Sequence, residues 1–477
     1  MRPDRIVAVI VMVLAGTAGP ALPAAAGSRV LVVDDDGVQC PRASYTDIQP
    51  AVDASRIGDT IRVCGGTYRG PVEVDKGVNL VAQLPAVSGT DCAGGGDVPD
   101  GSATIVGPVT LSGSGAALEG LVVTGAATGI TTGEDSAGYR LRRNVIQANG
   151  DFGIDLRSAG GQATVVEANC VRDNGVNGTG GAQAGIVADF GDLVDATIRR
   201  NTFTGNVEAI SVSGLHRYQN VSIAQNVLRG EGIVVAGVTG SEIRRNDIDS
   251  TGSGRPGIAF GGGSVGLTVS GNTVVGGFPG MQFCSSCTND KHWEPNVGLV
   301  ITGNTIRASA GTGIATLVPN DEAPIQLARS VIERNSVTGG PASGIALNSS
   351  AVGTVLASNT SSGNARGINL AGATGTVVLR NTLTGNSIVD ARDTTPDQNT
   401  WIGNRCATDD PAGLLCSTSR ASGVTGPVTI PAAPPIDHSR WPCLRVSVWD
   451  VDPVDGGAWI VVTVVAPDAP AGTFCGA

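Results

Sequence analysis

Between Asn144 and Asn404 the chain repeats one pattern of polar and apolar positions. An asparagine sits within a short β-type run, and seven to seventeen residues later a small residue precedes Ile and a further apolar position. Arg-Arg-Asn144-Val-Ile leads to Phe152-Gly-Ile154-Asp-Leu156, and Glu-Arg-Asn335-Ser-Val leads to Ser343-Gly-Ile345-Ala-Leu347. The asparagine returns at Asn144, Asn169, Asn201, Asn226, Asn246, Asn272, Asn304, Asn335, Asn359, Asn381 and Asn404, at spacings of 20 to 32 residues. A basal period in the low twenties with insertions is the signature of a solenoid.

The physical reason for one asparagine per turn follows from stacking. If each unit is one coil, equivalent residues lie ~4.8 Å apart. An Asn side chain carries both donors and an acceptor, so stacked copies can bond to each other along the axis. That removes the cost of burying them. A partial second ladder is expected five residues on, at Asn149, Asn174, Asn206, Asn364 and Asn386. The Ile positions 154, 186, 210, 233, 258, 314, 345 and 368, with Met281 in one turn, are expected to stack as the dry core.

This pattern resembles the parallel β-helix repeat of the pectin-lyase-like superfamily, over roughly residues 28–420. The resemblance implies an all-β fold, a right-handed single-stranded parallel β-helix with a short N-terminal helical cap and a small C-terminal β cap. It implies a prior for sugar handling and transfers no catalytic residue. The Asn-Thr-Asp, Asp-pair, His-Gly and Arg-Ile-Lys set of polygalacturonase-like hydrolases is absent in order, as is the Asp-Pro-His-Asp stretch of mannuronan epimerases. No basic Arg/Lys set resembling pectate lyase chemistry stands out. The chain also looks like the β-helix proteins related to periplasmic copper-site maturation factors, although no His/Met copper cluster accompanies that likeness.

Composition fits thin stacked coils: 70 of 477 residues are Gly and aromatics are only 3%, so the core must be small and aliphatic. The net charge of −11 argues against nucleic acid and anionic membranes, which need a basic footprint. It also disfavours a polyanionic substrate unless a divalent cation bridges. Met1-Arg-Pro-Asp-Arg5, the apolar run Ile6 to Leu14 and Ala24-Ala-Ala26 read as an export signal, residues 1–26, cleaved near Ala26. The run is too short for a membrane span. A secreted, extracellular and monomeric protein is expected, and its ten cysteines read as disulfides. Proximity suggests Cys40–Cys64, Cys406–Cys416 and Cys443–Cys475. Cys284-Ser-Ser-Cys287 reads as a loop staple, and Cys170 as either a buried thiol or a partner of Cys92.

Residues 27–420 are expected to form the β-helix, 421–435 a linker and 436–477 a small disulfide-pinned β segment. Ahead of the first coils, Tyr45 to Ala54 reads as a short amphipathic helix with Ile48, Ala51 and Val52 on one side. Asp34-Asp-Asp36 offers carboxylates of the kind that hold Ca²⁺. Three adjacent Asp in an extended chain point in different directions, so turn and cap roles are expected there, and no cofactor.

Function is expected where insertions stack on one face. The segments between each Ile strand and the next Asn strand vary most from residue 189 to 322. Two short ones are flanked by Gly214-Leu-His216-Arg217-Tyr218 and by Asp290-Lys291-His292-Trp293-Glu294. Three coils between these walls leave a groove of roughly 14 Å. Trp293 and Tyr218 could face sugar rings, with His216 and Asp189 toward hydroxyls. Glu294 or Asp290 is the candidate general acid, with Asp192 or Asp195 as partner, because glycoside hydrolysis needs two carboxylates. Lys291 or Arg217 could instead serve as the base of a β-eliminating lyase, and His292 completes the cluster. The expected partner is a polysaccharide or cell-surface glycan. The alternatives are a structural or adhesive solenoid with no reaction, and a metal-handling factor.

Overall fold

The computed structural model describes residues 28–84, 92, 98–175, 183–284, 294–307, 309–317, 324–416, 444–450 and 458–464. From Val30 to Asp410 the chain winds through three long sheets, returning to each once per coil. Sheet 1 has 15 strands, from Val30–Val33 to Thr400–Ile402, and precedes the ladder asparagines. Sheet 2 has 13, from Gly66–Arg69 to Thr382–Thr384, and follows them. Sheet 3 has 14, from Val72–Val74 to Asp409–Asp410, and carries the Ile positions. Each strand pairs in parallel with its counterparts one coil before and one coil after, so strand order in every long sheet follows chain order. This is a parallel β-helix.

The interior is built by repetition. Ile154, Ile186, Ile210, Ile233, Ile258, Met281, Ile314, Ile345 and Ile368 are direct cross-strand neighbours in sheet 3. All nine are fully buried, and each such side chain contributes roughly 1.5–3 kcal/mol by leaving water. Phe260 and Phe283 stack as rings 4.8 Å apart, one coil repeat, where the aliphatic stack widens.

At the corner between sheets 1 and 2 the asparagines form the expected ladder. In each step the side-chain Nδ2 and the backbone N–H of one Asn both donate to Oδ1 of the Asn one coil on. Asn226 donates to Asn246 at 3.0 and 2.9 Å, and Asn246 to Asn272 at 2.9 Å through each nitrogen. The second Nδ2 hydrogen goes to a carbonyl of sheet 1, as from Asn246 to Ile223. The residue just before each Asn turns the corner in the left-handed region. Arg143, Arg200, Arg245, Arg334 and Arg380 all have φ of 52–55° there. A non-glycine residue costs about 1–2 kcal/mol in that conformation; the ladder bonds offset it.

The second ladder forms at the expected asparagines and each of its runs ends on a carboxyl group. Asn149, Asn174 and Asn206 bond in turn, and the next slot is filled by Glu231, whose carboxylate accepts the Asn206 N–H at 2.7 Å and its Nδ2–H at 3.1 and 3.2 Å. Farther along, Asn364 bonds to Asn386, which ends on Asp390 at 2.8 Å. A Glu or Asp side chain carries no amide N–H to pass on to the next coil, so the run of amide-to-amide bonds stops at each.

The helix Ile48–Ala54 buries Ile48, Ala51 and Val52 against the first coil. Cys40–Cys64 ties that region, Cys406–Cys416 ties the last coil, and Cys92 bonds Cys170, which settles the two alternatives for that thiol in favour of the bridge. Cys284 is also disulfide-bonded. At the far end Leu415 closes over the core with Trp401, Cys406 and Cys416 packed beside it. Strands Leu444–Asp450 and Ala458–Val464 form an antiparallel pair. The export signal, the 421–435 linker, Cys287, Cys443 and Cys475 lie outside the described residues.

Candidate functional site

The loops from sheet 3 back to sheet 1 do not hang free, because short strands within them stack into two further parallel sheets. One contains Leu193–Val194, Tyr218–Gln219 and Val238–Thr239, the other Asn296–Val297, Leu327–Ala328 and Ala351–Val352. Val265 bridges them. Insertions therefore leave the helix between sheet 3 and these short strands.

This explains where the expected site residues fall. Tyr218 belongs to a strand and is 1% exposed, with its hydroxyl tucked under Gly214, where a Cβ would lie 2.7 Å from it. A ring buried in the core cannot face a sugar, so Tyr218 is removed from the binding set. Asp195 occupies the left-handed corner before sheet 1 (φ 54°) and accepts from Asn220 Nδ2 and the Gly161 N–H, both at 2.9 Å. These bonds, the Asn220 one first, hold its carboxyl below the usual range, which is the wrong direction for a general acid. Asp192 pairs with Arg217 through Nε at 3.1 Å and also accepts the Arg217 backbone N–H. His216 and Glu294 are exposed. Asp189 is half-buried and accepts from the Ser213 N–H and hydroxyl at 3.0 and 3.2 Å. Asp290, Lys291, His292 and Trp293 lie outside the described residues.

A denser polar group stands on the outer side of sheet 3, one to two coils nearer the N-terminus. Asp155 follows the core residue Ile154, and alternation turns it outward. It nevertheless is only 5% exposed. Phe152 lies three residues before Asp155, and Phe190 lies three after Val187, its cross-strand partner. The two rings meet edge to face at 5.5 Å, so they span the strand between them. Beneath, Arg157 reaches Asp155 through Nη2 at 2.5 Å and through Nε at 3.2 Å. Burial pushes the Asp155 carboxyl up against the opposing pull of Arg157, with Glu134 adding repulsion. The loop can lie this close because residue 191 is glycine: a Cβ there would sit 2.9 Å from Arg157 Cδ and 3.1 Å from Glu134 Oε2.

The same face continues through Ser211, whose hydroxyl is 3.0 Å from that of Ser213, next to Asp189. Glu208, ahead of the following strand, pairs with Arg255 at 2.5 Å. Burial raises the Glu208 carboxyl, opposed by Arg255 and reinforced by Asp189. Phe190, by contrast, is 46% exposed at the rim. The sequence reading passed over Asp155, Arg157, Glu208 and Arg255. For Asp155 the available signal was a charged residue at the outward position after Ile154, where most coils place Ala, Ser or Val.

Among the described residues, the carboxylates of Asp34, Asp35 and Asp36 converge within 4.8 Å of one another, where divergence was expected. The segment bends and is not extended there. Each carboxylate already serves the local backbone: Asp34 accepts the Cys40 N–H, Asp35 that of Thr67 and Asp36 that of Val38. With its amide nitrogen turned inward, Gln39 lies 3.0 Å from Asp34 Oδ1, Asp36 Oδ1 and the Gly65 carbonyl.

Among solved structures, the fold is similar to the A-module of mannuronan C-5 epimerase AlgE6 from Azotobacter vinelandii. That match is 15% identical with a TM-score of 0.43 and covers 76% of this chain and 94% of that one. PfbA, a surface adhesin of Streptococcus pneumoniae, is 12% identical with a TM-score of 0.42, covering 87% and 94%. The tailspike protein of E. coli bacteriophage HK620, solved with a pentasaccharide, is 16% identical with a TM-score of 0.40, covering 75% and 66%. These likenesses are of fold alone. No curated protein matches the sequence. A family model matches residues 101–297 and 223–412, which together take in every ladder asparagine from Asn144 to Asn404. By that match the chain belongs to the family described as periplasmic copper-binding protein (NosD).

Proposed function

We propose that this protein binds a neutral glycan chain along the outer face of sheet 3, in the coils from Thr131 to Arg255. One observation carries this: an exposed aromatic rim, Phe190 on Phe152, beside two carboxylate–arginine pairs, the buried Asp155 with Arg157 and the half-buried Glu208 with the exposed Arg255. Aromatic faces stack on sugar rings, and paired, fixed polar groups orient hydroxyls without a new entropy loss at binding. The carboxylates Glu134, Asp155, Asp189 and Glu208 outnumber Arg157 and Arg255, which disfavours uronates and other polyanions. Asp155 and Glu208 themselves stand two coils apart, about 10 Å along the axis before any lateral offset, beyond the ~5–9.5 Å of paired hydrolytic carboxylates. The loop group His292, Trp293 and Glu294 is proposed as a second contact along the same chain of sugars.

The test is a glycan array on the mature protein, with Phe190→Ala, Asp155→Asn and a His292/Trp293/Glu294→Ala triple variant alongside. Affinity is expected to fall at least tenfold in the first two. No binding to any glycan, or binding that survives both changes, defeats the proposal.

The family description names copper, and the donors among the described residues do not make a soft copper site, which thioethers, thiolates and imidazoles would build. The sequence has three Met and three His. Met281 is sealed in the core, and His216 is the one histidine among the described residues. All seven described cysteines are in disulfides, and the one acidic cluster among the described residues is all oxygen. Disulfides and the periplasmic description of the family accord with a location outside the cytoplasm. No helix among the described residues is long and apolar enough to cross a membrane.

A further inference from the structure

The corner between sheets 1 and 2 carries a stripe of arginine on its outer side, away from the sheet 3 group. Leu141, Val166, Ile198, Ile223 and Ile243 point into the core, so the residue after each points outward. Strand pairing places these outward residues, Arg142, Glu167, Arg199, Ala224 and Arg244, in one column, each the direct neighbour of the next. The corner column beside it reads Arg143, Ala168, Arg200, Gln225 and Arg245. An Arg-Arg pair therefore returns in every second coil, about 10 Å apart along the axis, three times within a run of about 19 Å. The next two coils end the pattern with Ser270-Gly271 and Thr302-Gly303.

Neither the backbone nor ion pairing calls for these arginines. Ala168, Gln225 and Ser358 hold the same left-handed corner at φ of 54–58°, so the turn accepts a small or a neutral side chain. Glu167 is the one carboxylate within the two columns, and Arg142, Arg199 and Arg200 all turn to it, at 3.5, 2.9 and 3.3 Å. On the flanks Glu119 takes Arg143 at 3.4 Å and Glu242 takes Arg244 at 2.7 Å. Arg245 is exposed and meets no carboxylate at ion-pair distance among the described residues. Six guanidinium groups thus stand with three carboxylates, in a chain whose net charge is −11. The five ion-paired arginine side chains remain 38–60% exposed, which leaves N–H donors open to a ligand. Across the corner on sheet 2, Arg172 and Arg229 are balanced by Asp247 and Asp249, so the positive charge is confined to the stripe.

A guanidinium fork matches a carboxylate, and an evenly spaced row of forks matches a linear polymer whose acid groups recur at the same interval. We infer that the stripe binds a polysaccharide of alternating acidic and neutral sugars, lying along the helix axis with one carboxylate at each Arg-Arg pair. A polymer with an acid on every sugar would set an intervening carboxylate against Glu167, between the first two pairs, and repulsion there disfavours it. Single-stranded nucleic acid is disfavoured because the two columns hold no aromatic side chain on which bases could stack.

The probe is hyaluronan, which alternates a uronate with a neutral amino sugar, titrated against the purified protein at low salt. Arg143→Gln/Arg200→Gln/Arg245→Gln is expected to weaken binding about tenfold or more, and Gln225 shows that the corner tolerates the change. Arg334→Gln/Arg380→Gln removes two arginines from the same corner column beyond the stripe and is expected to leave affinity unchanged. Phe190→Ala is expected to leave hyaluronan binding intact, which separates this stripe from the glycan face of sheet 3. Polygalacturonate, with an acid on every sugar, and single-stranded DNA are expected to bind more weakly than hyaluronan. No hyaluronan binding at low salt, an equal loss in the two arginine variants, or a loss in Phe190→Ala would each overturn the inference. So would tighter binding of either competing polymer.

Discussion

Replacing Glu231 by Gln should change how stability depends on pH. Glu231 is 1% exposed and occupies a slot in the second ladder, accepting both donors of Asn206. Burial pushes its carboxyl from 4.5 up to about 8, against the pull of the two Asn206 bonds and with added repulsion from Asp173. In the unfolded chain the group returns to its ordinary value. Between pH 4.5 and 8 the folded protein therefore holds a proton that the unfolded chain has released. Stability falls as pH rises through that window and levels off above it. At ~1.4 kcal/mol per pH unit the full effect is at most roughly 5 kcal/mol, and relaxation would reduce it. Glutamine keeps the carbonyl oxygen that Asn206 needs and carries no charge at any pH. Glu231→Gln is expected to be near neutral at pH 5 and stabilising by a few kcal/mol at pH 9. Urea unfolding at pH 5, 7 and 9, followed by circular dichroism and by hydrogen exchange over residues 200–235, measures this. Other carboxyls give both proteins a common slope, so the difference between the two curves is the signal. If that difference stays constant from pH 5 to 9, Glu231 is ionised in the fold and the reasoning is wrong.

Asn246→Ala removes the acceptor for Asn226 and the donor to Ile223 in the main ladder; with buried groups left unpaired at ~1–3 kcal/mol each, a loss of about 3–5 kcal/mol is expected in denaturant titration. Changing Cys406 and Cys416 to Ser opens a loop whose closure is worth about 3 kcal/mol, and faster hydrogen exchange should be confined to the last coils. Arg217→Ala breaks an exposed pair with Asp192 and should alter the unfolding midpoint by less than ~1 kcal/mol; a larger change would mean that the 213–217 loop braces the helix.

The fold was legible because it repeats. Asn144 to Asn404 and Ile154 to Ile368 state the same constraint many times, and a ladder position cannot drift without leaving donors unpaired. The site was less so, because each of its residues occurs once. Asp155 sits in Phe-Gly-Ile-Asp-Leu and looks like any outward residue of a strand. What distinguishes it is Phe190, from the next coil, which meets Phe152 across it. Tyr218 misled in the opposite way: it follows His216 and Arg217 in a polar stretch, and only the stacking of the short strands reveals that it points inward. Glu231 broke a ladder whose other members are amides, a departure visible in sequence only once the slot is known.

The main ladder also has a direction. From Asn144 to Asn381 each Asn offers its backbone N–H and one Nδ2 hydrogen to the oxygen of the Asn one coil on, and its own oxygen accepts from the coil before wherever an Asn stands there, while its other Nδ2 hydrogen goes back to a carbonyl of the preceding coil. The two ends of the stack are therefore chemically different, one presenting amide oxygens and the other N–H groups, so each needs its own kind of closure. Asn404 has no successor asparagine, and it is there that the chain changes from repetition to closure, with Leu415 and a disulfide where a twelfth rung would otherwise begin.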